Sequence, residues 1–313
     1  MAGLSTQDLA GGVGLREGEG KRALITGLRG FTAQYVAHEL AAAGYRVFGT
    51  MMPPAAREGD TFPVDLCSRA DVFAMVEEVQ PDVVVHLAGI AFVAHNDAEQ
   101  IYRVNVVGTR NLLDALATVR HRPSAVLLPS SAHVYGNAAV PVIDEDVALA
   151  PANDYAVSKL AMEYMARLWM DKLPIIIARP FNYTGRGQSE NFLLPKIVSH
   201  FRRRAPQIDL GNLAIARDFS DVRTVASSYR RLLAAAPAGE IINVCSGKSH
   251  SLSEVIDMMV SIAGYRIEVQ VNPAFVRAND VLSLSGSNAR LTALIGPVAP
   301  LPLIDTLRWM YEA

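Results

Sequence analysis

The stretch LITGLRGFTAQYV, residues 24–36, decides how the rest of the chain is read. It joins a short apolar run, RALIT (22–26), to a helix-period segment, AQYVAHELAAAG, which Gly44 closes as a C-terminal stop. Between them stand Gly27 and Gly30. A glycine at the first position permits the tight turn out of a strand. One at the second lets backbone amides approach a pyrophosphate, whose charge then sits at the helix N-terminus. A third glycine in such loops serves only close helix–strand packing, and Ala33 is small enough to replace it. Strand, turn and helix in this order predict a dinucleotide site built on Gly27, Leu28, Arg29, Gly30 and Phe31.

Outward from this loop the same rhythm continues. The strand-like runs YRVFGT, DVVVHLAG, SAVLLPSS and PIIIARP alternate with the helix-period segments ADVFAMVEEV, QIYRVNVVGTRNLLDALATV and DYAVSKLAMEYMARLWM. Such alternation predicts an α/β fold, a Rossmann-type doubly wound parallel sheet covered on both faces. Past Phe181 the pattern loosens, leaving GEIINVCSG as a strand and SLSEVIDMMVSIAG as a helix. The expected organisation is a mobile tail over 1–19 and a dinucleotide domain over 20–180 with a returning segment at about 216–248. A smaller, partly intertwined C-terminal substrate domain would take 181–215 and 249–313.

Composition narrows the function classes. Half of the 313 residues are hydrophobic and the net charge is -2, which leaves no electrostatic footprint for nucleic acid or an anionic membrane. Arg202-Arg203-Arg204 reads as a solvated helix face. Two cysteines, Cys67 and Cys245, with no His/Cys spacing that suits a metal, point to a reduced cytoplasmic setting without a metal site. The N-terminus lacks the charged start and apolar core of a secretory signal, and no run reaches the about 20 apolar residues of a membrane span.

Two further segments carry chemistry. In Tyr155-Ala-Val-Ser-Lys159 the tyrosine and lysine share a helix face, and an ammonium near a phenol pulls the phenol pKa down towards neutrality. Tyr155 thereby becomes a usable proton donor or acceptor, and Lys159 can hold ribose hydroxyls. In PSSAHVYG, at the C-terminal end of a strand where open α/β sheets bind ligands, Ser130 or Ser131 can bond a substrate oxygen beside Tyr155. For the cofactor, the end of the second strand, FGTMMPP, lacks the acid that bonds a ribose 2′-hydroxyl. Arg29 can receive a 2′-phosphate instead, which favours NADPH over NADH.

Taken together, TGLRGF (26–31), VDL (64–66), HLAG (86–89), NVVGTRNLLDA (105–115), SSAHVYG (130–136), YAVSK (155–159) and ARPFNYTGRGQ (178–188) resemble the extended short-chain dehydrogenase/reductases that modify nucleotide-activated sugars. The resemblance runs from Lys21 to the C-terminus. It implies Ser131, Tyr155 and Lys159 as the catalytic set. It implies cofactor contacts at Asp65 and Leu66 beside the adenine, and at Leu87, Ala88, Gly89, Asn105 and Pro180. Dehydratases of this group carry a glutamate two residues before the VYG tyrosine, often with Asp before it. Here those positions are His133 and Ala132, so dehydration is rejected and His133 becomes a substrate contact or second proton donor. RPFNYTGRGQ, FLLPKIV, ARDFSDVRTVASSY and EIINVCSG resemble the reductases of GDP-4-keto-6-deoxymannose. Asn182, Arg217 and Arg277 are then candidates for the sugar and diphosphate. Tyr183 and Arg186 depart from the family's usual His and Pro. The implied activity is C4 reduction of a GDP-linked 6-deoxy-4-keto sugar, with a 4-epimerase retaining NAD as the alternative and a non-catalytic dinucleotide sensor as a second. The resemblance also implies a homodimer through the helices at about 99–119 and 154–170.

Overall fold

The computed structural model describes residues 16–91, 97–272, 283–299 and 301–313. Its first half runs β1 (Arg22–Thr26), α1 (Phe31–Ala42), β2 (Arg46–Met51), β3 (Thr61–Pro63), α2 (Arg69–Val79), β4 (Val83–His86), α3 (Ala98–Tyr102), α4 (Thr109–Thr118), β5 (Ala125–Pro129), β6 (Val142–Ile143) and α5 (Asp154–Ala166). The second half runs β7 (Ile175–Pro180), β8 (Asn182–Thr184), α6 (Leu193–Arg202), β9 (Gln207–Leu210), β10 (Ala216–Asp221), α7 (Val222–Ala235), β11 (Ile241–Val244), β12 (Ser249–Ser251), α8 (Leu252–Ala263), β13 (Glu268–Val271), β14 (Ser283–Gly286), α9 (Ala289–Ile295) and α10 (Leu303–Tyr311).

A seven-stranded sheet in the order β3-β2-β1-β4-β5-β7-β11 is parallel throughout. The strand pleat divides its apolar residues between two cores. Leu24, Val84, Val126 and Ile175 face the layer of α2, α4 and α5, while Ala23, Ile25, Val85, Leu127 and Ile176 face α1 and α7. Burial on both faces is why these strands read as unbroken apolar runs rather than alternating ones.

A second sheet, β12-β10-β14-β6 with β8 on β10, and a β13–β9 pair form the smaller unit. Its core packs Leu194, Phe201, Ile208, Val255, Met259 and Leu307. Asp218 on β10 joins its loops: the carboxylate accepts from Ser246 N (2.9 Å) and Oγ (2.6 Å), Gly247 N (2.9 Å) and Gly286 N (3.2 Å). Four donors offset the burial of that charge, which by itself pushes the carboxyl pKa up.

Three expectations change. The return to the large sheet begins at Val222, because β10 pairs with β8, β12 and β14 instead. Residues 16–19 form a turn rather than a tail, with Gly18 N bonded to Ala43 O at 3.0 Å and Glu17 paired with Arg230. The helix expected over 99–119 is split by a π-helical turn, Arg103–Gly108. Among the described residues no helix is long and apolar enough to cross a membrane.

Candidate active site

The glycine loop leaves the sheet between β4 and β2. Gly27 sits at φ 70°, and a Cβ there would lie 2.9 Å from Ala88 Cα. The position therefore needs glycine for both conformation and space. Gly27 N donates to Thr50 Oγ1 (3.0 Å), Leu28 N to Thr50 O (2.8 Å) and Gly30 N to Gly27 O (2.8 Å). No side chain caps α1 at Gly30, so its first-turn amides can receive an anion. Ala33 is buried in the α1 core, which is all its position requires. This cradle fits a dinucleotide pyrophosphate. Arg29 already has a partner: its Nη2 donates to Glu58 Oε1 at 2.7 Å, with both side chains exposed.

Beneath the loop a chain of polar groups links two strands, β1 and β4, to the helical segment of Asn105 and Thr109. Ala88 N donates to Thr26 Oγ1 (3.0 Å), and Thr26 Oγ1 is 2.7 Å from His86 Nδ1. His86 Nε2 is 2.8 Å from Thr109 Oγ1, which donates to Asn105 O at 2.7 Å. Thr109 has spent its proton on Asn105, so it accepts from His86 Nε2–H, and Nδ1 must accept from Thr26. One neutral tautomer satisfies every atom. Burial, with the Lys159 charge nearby, pushes the imidazole pKa down to about 3. The π turn aims the Asn105 side chain at the next loop. Its Oδ1 accepts from Ile90 N (2.9 Å) and its Nδ2 donates to Ile90 O (3.2 Å) and Ser158 Oγ (3.0 Å). A Cβ on Gly89 would stand 3.0 Å from Asn105 Oδ1 and 3.7 Å from Lys159 Nζ. Leu87, Ala88, Gly89, Asn105 and Lys159 thus converge.

Asn153 caps α5 by accepting from Ala156 N at 2.9 Å. Tyr155 is then fixed in the first turn and Lys159 one turn later. Ser131 lies just past β5 in extended conformation, holding a short 3-10 turn by accepting from His133 N at 3.1 Å. Ser131 lies close enough to Tyr155 to favour its phenolate. The expected lowering of the Tyr155 pKa is overturned: burial pushes it up to about 12, against the opposing pull of Ser131. Lys159 Nζ donates instead to Pro129 O at 2.8 Å, and burial lowers its pKa to about 8 against the supporting charge of Glu163. The His133 ring meets the Tyr155 ring edge-on at 5.8 Å.

Behind α5, Glu163 and Arg179 form a buried bidentate pair (3.0 and 2.7 Å). Arg179 Nη1 donates to Tyr135 Oη (2.9 Å), which donates to Asn243 Oδ1 (2.8 Å). The VYG tyrosine is therefore part of the frame. Tyr183 Oη lies 2.9 Å from Thr32 Oγ1 and its ring stacks on Phe31. Arg186 donates to the Trp309 carbonyl and lies over its ring at 4.9 Å, where Arg223, paired with Asp221, approaches to 3.8 Å. Both departures from the usual family pattern serve contacts between elements.

Other candidates stand apart. Asp65 Oδ1 accepts from Cys67 N (2.8 Å), and Leu66 is buried with its carbonyl bonded to Asn111 (2.9 Å). Pro180 ends β7 opposite Val244. Asn182 and Arg217 lie on the adjacent strands β8 and β10 of the smaller unit, Arg217 donating to Ala216 O at 2.9 Å. Arg277 lies outside the described residues. Sequence reading missed Thr26, Thr50, Ser158 and Glu58; a strand-end hydroxyl beside a glycine loop was the signal available for the two threonines. Among the described residues no cluster of His, Cys, Asp and Glu could hold a metal.

Known proteins resemble this chain along most of its length. Residues 23–245 match the NAD dependent epimerase/dehydratase family. A GDP-6-deoxy-D-mannose reductase from Pseudomonas aeruginosa is 34% identical over 92% of this chain and 95% of its own length. A GDP-6-deoxy-D-talose 4-dehydrogenase from Aggregatibacter actinomycetemcomitans is 32% identical over 87% and 90%. The structure of RMD from P. aeruginosa complexed with NADPH superposes with a TM-score of 0.81, at 32% identity, covering 93% of this chain and 98% of that one. A provisionally named epimerase from Burkholderia cenocepacia J2315 superposes with a TM-score of 0.90, at 55% identity over 94% and 98%. The chain belongs to the NAD dependent epimerase/dehydratase family, as an NAD(P)-dependent enzyme of the extended short-chain dehydrogenase/reductase type.

Proposed function

We propose that the enzyme reduces the C4 keto group of a GDP-linked 6-deoxy-4-keto sugar, hexose or heptose, with NADPH favoured over NADH. The observation that carries this reading is the Ser131–Tyr155 pair at the C-terminal edge of the sheet, with a phenol held protonated by burial. Relatives named for reduction or oxidation at C4 of GDP-6-deoxy sugars support it. Asn182, Arg217 and Arg277 are assigned to the sugar and diphosphate, and His133 to the sugar beside Tyr155.

The nicotinamide supplies a hydride to C4 when bound. Tyr155 donates its proton to the C4 oxygen, and Ser131 holds that oxygen, so ketone, hydride and proton become a secondary alcohol. A phenol pKa of about 12 keeps the donor form in place at neutral pH, which suits reduction better than the reverse oxidation. The Lys159 ammonium binds ribose hydroxyls and stabilises the phenolate left behind. Asp65 and Leu66 flank the adenine. The exposed Val107, Val157, Tyr164 and Leu168 suit a homodimer through the helices at 98–118 and 154–169. The setting is cytoplasmic nucleotide-sugar synthesis for surface polysaccharide.

The test follows NADPH and NADH oxidation with freshly made GDP-4-keto-6-deoxymannose. The expected outcome is rapid oxidation of NADPH, reduced about 1,000-fold or more in Tyr155→Phe. No oxidation of either cofactor, with NAD retained in the purified protein, would move the reading to a 4-epimerase; the B. cenocepacia neighbour is named for epimerisation.

A further inference from the structure

We infer that Glu58 sets the discrimination between NADPH and NADH, by competing with a ribose 2′-phosphate for the Arg29 guanidinium. The inference rests on the reading that Arg29 receives that phosphate. In open dinucleotide-binding sheets the ribose 2′ position lies at the C-terminal end of the second strand. Here the glycine loop covers that end. Leu28 N bonds to Thr50 O at 2.8 Å, and a Cβ on Gly49 would meet Leu28 Cδ2 at 2.4 Å. The Arg29–Glu58 pair, at 2.7 Å, bridges the loop to the connection between β2 and β3.

The backbone that carries this carboxylate is fixed. Glu58 N donates to Thr61 O (3.1 Å) and Thr61 N to Glu58 O (2.9 Å), a closed bridge next to β3. The neighbouring charges are engaged elsewhere. Arg57 pairs with Glu78 at 2.8 Å and lies over Phe62, and Asp60 is paired with Arg46 at 2.9 Å. Arg29 and Glu58 are thus the charged pair that a 2′ substituent meets. A phosphate carrying about two negative charges gains Arg29 only by displacing or sharing Glu58, and it is repelled by the carboxylate it displaces. A plain 2′-hydroxyl meets neither effect. Chains with an acid at the end of the second strand reject the phosphate outright. This chain places its acid one connection later, on the guanidinium, and so grades the preference instead of fixing it.

The experiment is calorimetric titration of the wild type, Glu58→Gln, Arg29→Met and the double variant with NADPH, NADH, 2′,5′-ADP and 5′-AMP, with no turnover involved. Glu58 is exposed, so the folded state tolerates Gln, and matching Tm values verify it. Glu58→Gln is expected to tighten NADPH and 2′,5′-ADP about three- to tenfold while leaving NADH and 5′-AMP within about twofold. Arg29→Met weakens the phosphate-bearing ligands, and in the double variant the gain from Glu58→Gln disappears. An unchanged NADPH/NADH ratio in Glu58→Gln overturns the inference. A wild type that prefers NADH, yet shifts towards NADPH in Glu58→Gln, overturns the cofactor preference proposed above and supports the role of Glu58.

Discussion

The His86 chain and the Ser131–Tyr155 corner lie at the ends of neighbouring strands, yet they treat buried polar groups in opposite ways. Around His86 every donor meets an acceptor, from Ala88 N through Thr26, His86 and Thr109 to Asn105. At the proposed reacting corner, Ser130 Oγ and Tyr229 Oη are buried with no hydrogen-bond partner among the described residues. Burial raises the Tyr229 pKa well above its ordinary value, with Tyr183 and Tyr155 adding to the effect. Groups that only hold geometry are saturated, because an unmet buried donor costs about 1–3 kcal/mol. The two groups beside the proposed chemistry keep bonding capacity in reserve.

That contrast can be broken from either side. The largest loss is expected from His86→Ala, which leaves a cavity and strands Thr26 and Thr109; unfolding should be easier by about 2–5 kcal/mol in denaturant titration. The same histidine gives a pH signature. Its folded pKa of about 3 lies below the ordinary 6.5, so the unfolded chain binds the extra proton between those values. Stability attributable to His86 is therefore complete above pH 6.5 and drains away as pH falls towards 3, a slope that His86→Ala should flatten. Ser131→Ala is next, with kcat for reduction falling about 100-fold at nearly unchanged Tm. An unchanged kcat would remove Ser131 from the reaction. The smallest effect belongs to Tyr229→Phe. Deleting an unpartnered hydroxyl should move Tm by less than about 2 °C in either direction; a drop comparable with His86→Ala would show that Tyr229 belongs to the saturated class.

What could be read beforehand follows the range of the interactions. The glycine loop was legible because Gly27, Gly30 and Ala33 answer to local constraints of turn and helix packing. Tyr155 and Lys159 were legible because four residues make one helical turn. The Tyr155 pKa was not, since spacing places Lys159 one turn away but does not report the burial that raises the phenol. Glu58 sits in a connection without periodicity, 29 residues from its partner. The π turn around Asn105 keeps a helical pattern in sequence while changing where one side chain aims. β10, ARDFSD, is too polar to report its partners, and its place in the smaller sheet depends on β8, β12 and β14 being there to pair with it.

The clamp on Trp309 has a spectroscopic consequence. The chain has two tryptophans. Trp169 is buried in the core beneath the large sheet, and the Trp309 ring has two guanidinium groups, those of Arg186 and Arg223, at 4.9 and 3.8 Å. Each half of the molecule thus owns one intrinsic emitter in its own electrostatic surroundings. Trp169→Phe and Trp309→Phe would turn ordinary fluorescence into two separate reporters, one for the dinucleotide half and one for the C-terminal unit.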